Sequence, residues 1–185
     1  MGLLPRFPFA AMIGGPTQGR IETGMFEDHR RTANRNAMQV VGAYERWRGA
    51  RVTDVSAGGD QRLSAAFDRL GIDRPAIPSA DYVSTLDEEI RIIEVKGRGS
   101  RGPVEALERE VDTLTRAGEH GWLYVVWNAT QPSPFELWLV NDPGRLQWEP
   151  VPPSTRLELK YEAIEAMGRR ADLGSVEGLP SKSKA

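Results

Sequence analysis

The stretch ADYVSTLDEEIRIIEVKGRGS, residues 80–100, decides the fold because a short polar turn within it joins two strand-like runs. A tight antiparallel turn centred between Asp87 and Glu88 pairs residues that lie equally far from the turn on either side. Asp81 and Glu94 meet this condition, so we expect their Cβ atoms on one face, roughly 4.5–5.5 Å apart. Alternation along the strand places Lys96 on the same face. The sequence therefore predicts two carboxylates and one amine together on a hairpin.

Length, charge and cysteine content limit the classes of protein to consider. A chain of 185 residues with 39% hydrophobic residues suits one globular domain with additional segments. The formal net charge of −2 gives no overall attraction to nucleic acid, so any DNA binding must come from local patches. The absence of cysteine excludes disulfides and thiolate metal sites, and two histidines argue against zinc. No apolar run is long enough to cross a membrane, and we expect a cytoplasmic protein.

Hydrophobic periodicity predicts an α/β fold, with a mixed central β-sheet flanked by helices. Apolar residues recur at helical spacing in three segments, which are residues 27–48, 60–72 and 103–117. Strand-like runs occupy residues 51–56, 81–86, 90–96, 122–127 and 135–140, and residues 145–151 are a candidate edge strand. The run IRIIEVK, residues 90–96, is rich in β-branched residues, which predicts a central position in the sheet.

The composition divides the chain into three parts. Residues 1–26 are rich in glycine and proline, which predicts a flexible N-terminal arm. Residues 27–151 hold the predicted helices and strands of the core domain. Residues 152–185 begin with a proline-rich spacer and continue into a predicted helix over residues 156–170, and the residues after Asp172 are expected to be disordered.

The charged residues of the hairpin suit hydrolysis of a phosphodiester. A divalent cation held by carboxylates activates water and neutralises charge that develops on the phosphate. Mg²⁺ prefers oxygen ligands and keeps several waters, so Asp81 and Glu94 are sufficient protein ligands for Mg²⁺ or Mn²⁺. The backbone carbonyl of Val95 is a further candidate ligand. Lys96 is the candidate catalytic cation, which orients the attacking water or stabilises the transition state.

The pattern of Asp81 followed by Glu94-x-Lys96 resembles the PD-(D/E)XK nuclease superfamily, although Ala80 stands before Asp81 in place of proline. In that superfamily these residues hold the metal in a restriction-endonuclease-like core. A narrower likeness rests on IIEVKGR (residues 92–98), a following helix with an internal glutamate, and WLYVV (residues 122–126). These motifs resemble the C-terminal-like domain of the plant NO VEIN protein, a branch found in bacterial proteins associated with helicases and with restriction or phage defence.

The resemblance implies a metal-dependent DNA endonuclease or nuclease subunit, with DNA as substrate and a helicase or another subunit as partner. A homo-oligomer is compatible with it. It also implies a further acid on the helix before the first strand, which is Glu45 here, and a polar residue on the helix after the lysine, best matched by Glu110. For Glu45 and Glu110, a solvated helix surface is an equally good explanation.

Candidate nucleic-acid contacts are the arginines of two basic stretches. Arg98 and Arg101 directly follow Lys96, and Arg46 and Arg48 belong to a basic run before the first strand. A solvated helix face is the commoner explanation of the run that holds Arg46 and Arg48, and a flexible basic loop explains Arg98 and Arg101 equally well. Two other functions stay open: a non-catalytic nucleic-acid-binding or assembly module that retains the nuclease fold, and a structural protein whose terminal segments contact other subunits.

Overall fold

The structure is a computed structural model that describes residues 18–57, 61–130, 134–152 and 155–180. The described helices are α1 (Gln18–Trp47), α2 (Gln61–Leu70), α3 (Glu108–Ala117) and α4 (Tyr161–Met167). The described strands are β1 (Arg51–Asp54), β2 (Tyr82–Leu86), β3 (Glu89–Gly97), β4 (Val104–Leu107), β5 (Gly121–Trp127), β6 (Glu136–Asn141), β7 (Glu149–Val151), β8 (Arg156–Leu159) and β9 (Arg169–Arg170).

The main sheet has six strands in the order β1-β2-β3-β5-β6-β9, and β4, β8 and β7 form a second, three-stranded sheet. Strands β3 and β5 are parallel, whereas the other pairs in the main sheet are antiparallel. A parallel pair requires a crossover, and α3 lies within the segment that supplies it. The predicted α/β class with a mixed central sheet is confirmed, and β3 is central as expected.

The hairpin of β2 and β3 has the predicted register. Tyr82 pairs with Ile93, and Leu86 pairs with Glu89 at the other end of the ladder. Asp87 in the turn has φ of 52°, a left-handed conformation that aspartate tolerates in tight turns. Asp81 stands one residue before β2, and its backbone N–H donates to the Ile93 carbonyl at 2.9 Å.

Helices cover both faces of the main sheet. The face that carries Ile93 and Val95 packs against α1, where Ala37, Val40 and Tyr44 are buried. The opposite face is covered by α2 and α3, and its buried residues include Phe67, Ile92, Ala117 and Leu123. Because successive residues of a strand face opposite sides, Glu94 and Lys96 point away from α1.

Gly97 lets α1 approach the end of β3 closely. A Cβ atom at this position would lie 2.3 Å from the Ala33 carbonyl oxygen and 2.9 Å from the Ala37 Cβ. Neither distance is compatible with a side chain, so the backbone of β3 packs directly on α1 one residue after Lys96.

One predicted helix is shorter than expected. The predicted helix over residues 103–117 is replaced by strand β4 at residues 104–107, and α3 begins at Glu108. Val104 and Ala106 are buried while their neighbours are partly exposed, which is the alternation of a strand. β4 also has a partner far along the chain, because Val104 pairs with Leu159 of β8.

The C-terminal segment is part of the fold, which corrects the disorder expected after Asp172. The helix predicted over residues 156–170 is confirmed only as α4, Tyr161–Met167, and strands occupy both ends of the predicted range. Residues 156–159 form β8, and β9 extends the main sheet through the pairing of Trp138 with Arg170. Val176 is buried against the cluster that includes Ile93. Residues 181–185 lie outside the described residues.

At the other end, α1 begins at Gln18, so the predicted boundary of the N-terminal arm at residue 26 falls inside a helix. The arm residues 1–17 lie outside the described part of the chain. Within that part, no helix has both the length and the apolar content needed to cross a membrane.

Candidate functional site

A pocket of about 250 Å³ lies beside the C-terminal half of β3. Elements α1, β3, β4, α3 and β8 all contribute to its walls. Four acids and four cations line it, and they are Asp81, Glu94, Glu105, Glu110, Arg30, Lys96, Arg98 and Arg156. The two predicted carboxylates and the predicted lysine thus lie in one concave site.

Asp81 is held by backbone contacts from two neighbouring strands. Its side-chain Oδ2 accepts a hydrogen bond from the Val95 N–H at 2.8 Å, and its carbonyl accepts one from the Val55 N–H at 2.9 Å. The first contact places the carboxylate beside the second half of β3, where Glu94 and Lys96 lie. Val95 therefore contributes to the site through its N–H, while its carbonyl stays a predicted metal ligand.

Lys96 joins two glutamates from different elements. Its Nζ donates to Glu94 Oε1 and to Glu110 Oε2, both at 2.6 Å. Glu110 Oε2 also accepts a hydrogen bond from the Leu107 N–H at 2.8 Å, which satisfies a free donor at the start of α3. The start of α3 and the end of β3 are therefore fixed to each other through the Glu110 carboxylate.

Burial makes Asp81 and Glu94 hold protons more tightly than usual. It raises the pKa of Asp81 to about 6, against the lowering effects of the Val95 hydrogen bond and the Lys96 charge. Burial also raises the pKa of Glu94 well above its ordinary value, and the Asp81 charge adds to this while Lys96 opposes it. For Lys96, burial acts to lower the pKa, but the charges of Glu94 and Glu110 outweigh it and raise the pKa. The lysine is therefore a permanent cation at neutral pH.

The donor set suits a hard divalent cation. Asp81, Glu94 and Glu110 face one lysine, so the fully ionised cluster has a surplus of negative charge, which a bound cation would relieve. Within the described residues no group of three or more acidic or histidine side chains is arranged to hold a metal ion. Glu110 is bonded to Lys96 and Leu107, which leaves Asp81 and Glu94 as the candidate protein ligands.

Comparison with known families assigns a family to the segment that carries these residues. Residues 34–138, more than half of the chain, match the family model described as Protein NO VEIN, C-terminal. The chain belongs to this family. The matched segment of the NO VEIN C-terminal domain includes Asp81, Glu94, Lys96 and Glu110, whereas Arg30 and Arg156 of the pocket lie outside it. No match was found among curated proteins or among solved structures.

Glu45 lies within the NO VEIN C-terminal match, but the structure does not bring it to the pocket. It is fully buried between α1 and the face of the sheet that carries Ile93 and Val95, which is the face that Glu94 and Lys96 point away from. Its carboxylate accepts hydrogen bonds from Arg48 at 2.7 Å, Arg91 at 3.3 Å, Ser84 at 2.7 Å and Tyr124 at 2.5 Å. All of these donors are protein groups. The contacts of Glu45 therefore hold α1 against the sheet and do not point to a role in binding.

The structure brings one of the four predicted arginines to the pocket. Arg98 lines it, whereas Arg101 pairs with Glu136 at 2.7 Å outside it. Arg48 is bonded to Glu45, and Arg46 is exposed on α1 and does not line the pocket.

Sequence reasoning missed Arg30 and Arg156. For Arg30 the sequence held an indication in its spacing. Arg30, Asn34 and Met38 recur every four residues, which places them on one side of a helix. All three line the pocket of the NO VEIN C-terminal domain. For Arg156 the segment was predicted as a helix, so its position beside β4 was not foreseen.

Proposed function

We propose that this protein is a Mg²⁺- or Mn²⁺-dependent nuclease that hydrolyses DNA phosphodiester bonds. The observation that carries the proposal is the convergence of Asp81, Glu94, Lys96 and Glu110 in one pocket, from the β2–β3 hairpin and from α3. The element order supports it, because α1, the antiparallel strands β1 to β3, the crossover with α3 and the parallel strand β5 resemble a restriction-endonuclease-like core.

Each residue has a distinct role in the proposal. Asp81 and Glu94, with the Val95 carbonyl as a further candidate, hold the divalent cation, which when bound supplies an activated water and neutralises phosphate charge. Lys96 places a fixed positive charge beside the phosphate in the transition state. Glu110 does not act on the substrate; it positions Lys96 and holds α3 against β3.

The substrate and partners in this proposal come from the family resemblance. DNA is the proposed substrate, and restriction, repair or phage defence are the proposed settings. The protein acts alone or as the nuclease subunit of a complex that includes a helicase.

The test is cleavage of plasmid and single-stranded DNA with Mg²⁺ or Mn²⁺. We expect Glu94→Gln and Lys96→Ala each to reduce the rate roughly 100- to 1,000-fold, because the first removes a charged ligand of the proposed cation and the second removes the positive charge beside the transition state. A matched pair of controls exists on the surface, where Lys160 Nζ lies 2.6 Å from Glu149 Oε1 outside the pocket. Glu149→Gln and Lys160→Ala are expected to cleave as fast as the wild type.

Equal cleavage by the wild type, Glu94→Gln and Lys96→Ala would contradict the proposal. DNA binding that weakens with salt, without metal-dependent cleavage, would favour the non-catalytic binding module. One observation favours the non-catalytic binding module. Lys96 is already paired with Glu94 and Glu110, so its charge is balanced by the protein without a phosphate. A large defined oligomer without affinity for metal or DNA would indicate an assembly protein.

A further inference from the structure

The pocket contains a second charged group, beside the acids and Lys96. Arg30 from α1, Arg98 from the residue after β3, and Arg156 from β8 line the same pocket as Glu94. Three separate elements thus bring arginines to one small volume, and the charges of Arg30 and Arg156 act on that of Arg98 although like charges repel. Such an arrangement is favourable when an anion occupies the space between the arginines.

Arg98 is the fixed member of this group. Its backbone N–H donates to the Val126 carbonyl at 2.9 Å, and its carbonyl accepts from the Ala129 N–H at 2.8 Å, so β5 and the residues after it hold Arg98 in place. Its side-chain Nε is buried, yet no acceptor for this N–H exists among the described residues. A buried donor without an acceptor is rare in proteins, and this one belongs to a side chain that lines the pocket.

The neighbouring charges leave the arginine group with an excess of positive charge. Burial lowers the pKa of Arg98, and the charges of Arg30 and Arg156 lower it further, while Glu105 and Glu158 oppose them. The Glu105 carboxylate is already bonded to Arg156 at 2.9 Å. The charges of three guanidinium groups therefore act on one another here, with Glu105 paired to Arg156 and Glu158 outside the pocket lining.

We propose that Arg30, Arg98 and Arg156 form a subsite for a DNA phosphate, beside the acidic residues of the same pocket. The planar guanidinium donates paired hydrogen bonds to phosphate oxygens, which suits arginine to this task. The identity of the anion rests on the proposed nuclease function. Because Arg30 and Arg156 lie outside residues 34–138, the segments that flank the NO VEIN C-terminal match complete the subsite.

The phosphate has two possible sources, an internal phosphodiester or a terminal phosphomonoester. The experiment is fluorescence anisotropy of labelled single-stranded oligonucleotides with a 5′-phosphate or a 5′-hydroxyl, in EDTA at two salt concentrations. Arg30→Gln, Arg98→Gln and Arg156→Gln are compared with two controls. Arg31→Gln changes the next residue of α1, which is exposed and pairs with Glu27, and Arg145→Gln changes an exposed arginine outside the pocket.

We expect each pocket variant to weaken binding about 5- to 100-fold and to reduce the salt slope by roughly one, whereas the controls bind as the wild type does. Equal losses for both oligonucleotides assign an internal phosphate, and loss of a preference for the 5′-phosphate assigns a terminal one. Arg30 is exposed, so Arg30→Gln gives a valid result even if Arg98→Gln does not fold.

Wild-type binding by Arg30→Gln and Arg156→Gln would overturn the subsite, even if cleavage depends on Glu94. Conversely, weakened binding by these variants in a protein that does not cleave DNA would support the subsite and reject the nuclease. The two proposals therefore fail separately.

Discussion

Two groups of charged side chains lie on opposite faces of β3, and they differ in charge balance. The balanced network, on the α1 face, consists of two acids, two arginines and two hydroxyls, which are Glu45, Glu89, Arg48, Arg91, Ser84 and Tyr124. The acidic cluster, on the opposite face, consists of Asp81, Glu94 and Glu110 around Lys96.

The difference shows how one strand holds charges for two purposes. In the balanced network each buried charge has an opposite partner within hydrogen-bond distance, so it holds α1 against the sheet and leaves no charge for a ligand. The acidic cluster has more acids than cations, which costs stability without a ligand and is the basis of the proposed cation site. Burial alone therefore does not favour a binding site, whereas burial with unbalanced charge favours one.

The largest expected effect is on stability, when the balanced network loses a cation. Arg91→Met leaves the fully buried Glu45 without one of its two arginines, and we expect a loss of about 3–5 kcal/mol in the free energy of unfolding. Lys96→Met is expected to cost less, because acids with raised pKa values can take up protons. Urea denaturation at pH 6 measures both, and a larger loss for Lys96→Met would contradict the comparison.

The next effect is a pH dependence that belongs to the acidic cluster. Because the pKa of Asp81 is raised from 3.8 to about 6, the folded protein binds a proton more tightly than the unfolded chain. This contribution is complete below about pH 4 and is lost as the pH rises through 6, which amounts to up to about 3 kcal/mol. We expect Asp81→Asn to remove this contribution from the slope of the unfolding free energy measured between pH 4 and 8, while the contribution of Glu94, whose pKa is also raised, remains.

The half-exposed Asp112 provides the control, since Asp112→Asn should keep the wild-type slope. Added Mn²⁺ should stabilise the wild type more at pH 7 than at pH 5, because a proton on Asp81 competes with the metal. A wild-type slope in Asp81→Asn would show that the carboxyl does not titrate as described.

The smallest expected effect compares the change in unfolding free energy for two Glu→Gln substitutions, one in each group of charges. Glu45→Gln puts an amide where both oxygens accept hydrogen bonds, so we expect a loss of about 2 kcal/mol. Glu94→Gln removes a buried charge from a cluster with surplus acid, so we expect unchanged or higher stability at pH 8 without metal. Thermal unfolding of both variants checks this, and equal losses would remove the distinction between the two groups.

The hairpin and the acidic cluster could be predicted because their geometry is local. A turn position and the alternation of a strand fix which residues face each other, and the register from Tyr82↔Ile93 to Leu86↔Glu89 follows from these two facts. The likeness of the following helix and strand to a known family made Glu110 a candidate for the site, with a solvated surface as an equal alternative, and in the structure its carboxylate accepts a hydrogen bond from Lys96.

The rest depends on contacts between distant parts of the chain. β4 was predicted as helix because Val104 and Leu107 fit helical spacing, and its partner β8 lies about fifty residues later. Glu45 was assigned to the pocket because the sequence does not show which face of the sheet it meets. Arg91 gave one indication. Alternation along β3 puts it on the same face as Ile93, and an arginine buried on that face requires an acid there, which is Glu45.

The contact at Gly97 also sets how far the two sides of the pocket can separate. Arg30 projects from α1, and Lys96 precedes the glycine whose backbone lies against Ala33. The separation of the two backbone segments that carry these cations is thus set by backbone atoms, which cannot change rotamer as side chains can. A residue larger than glycine would act as a wedge, moving the helix outward and widening the pocket while every charged group in it remained present.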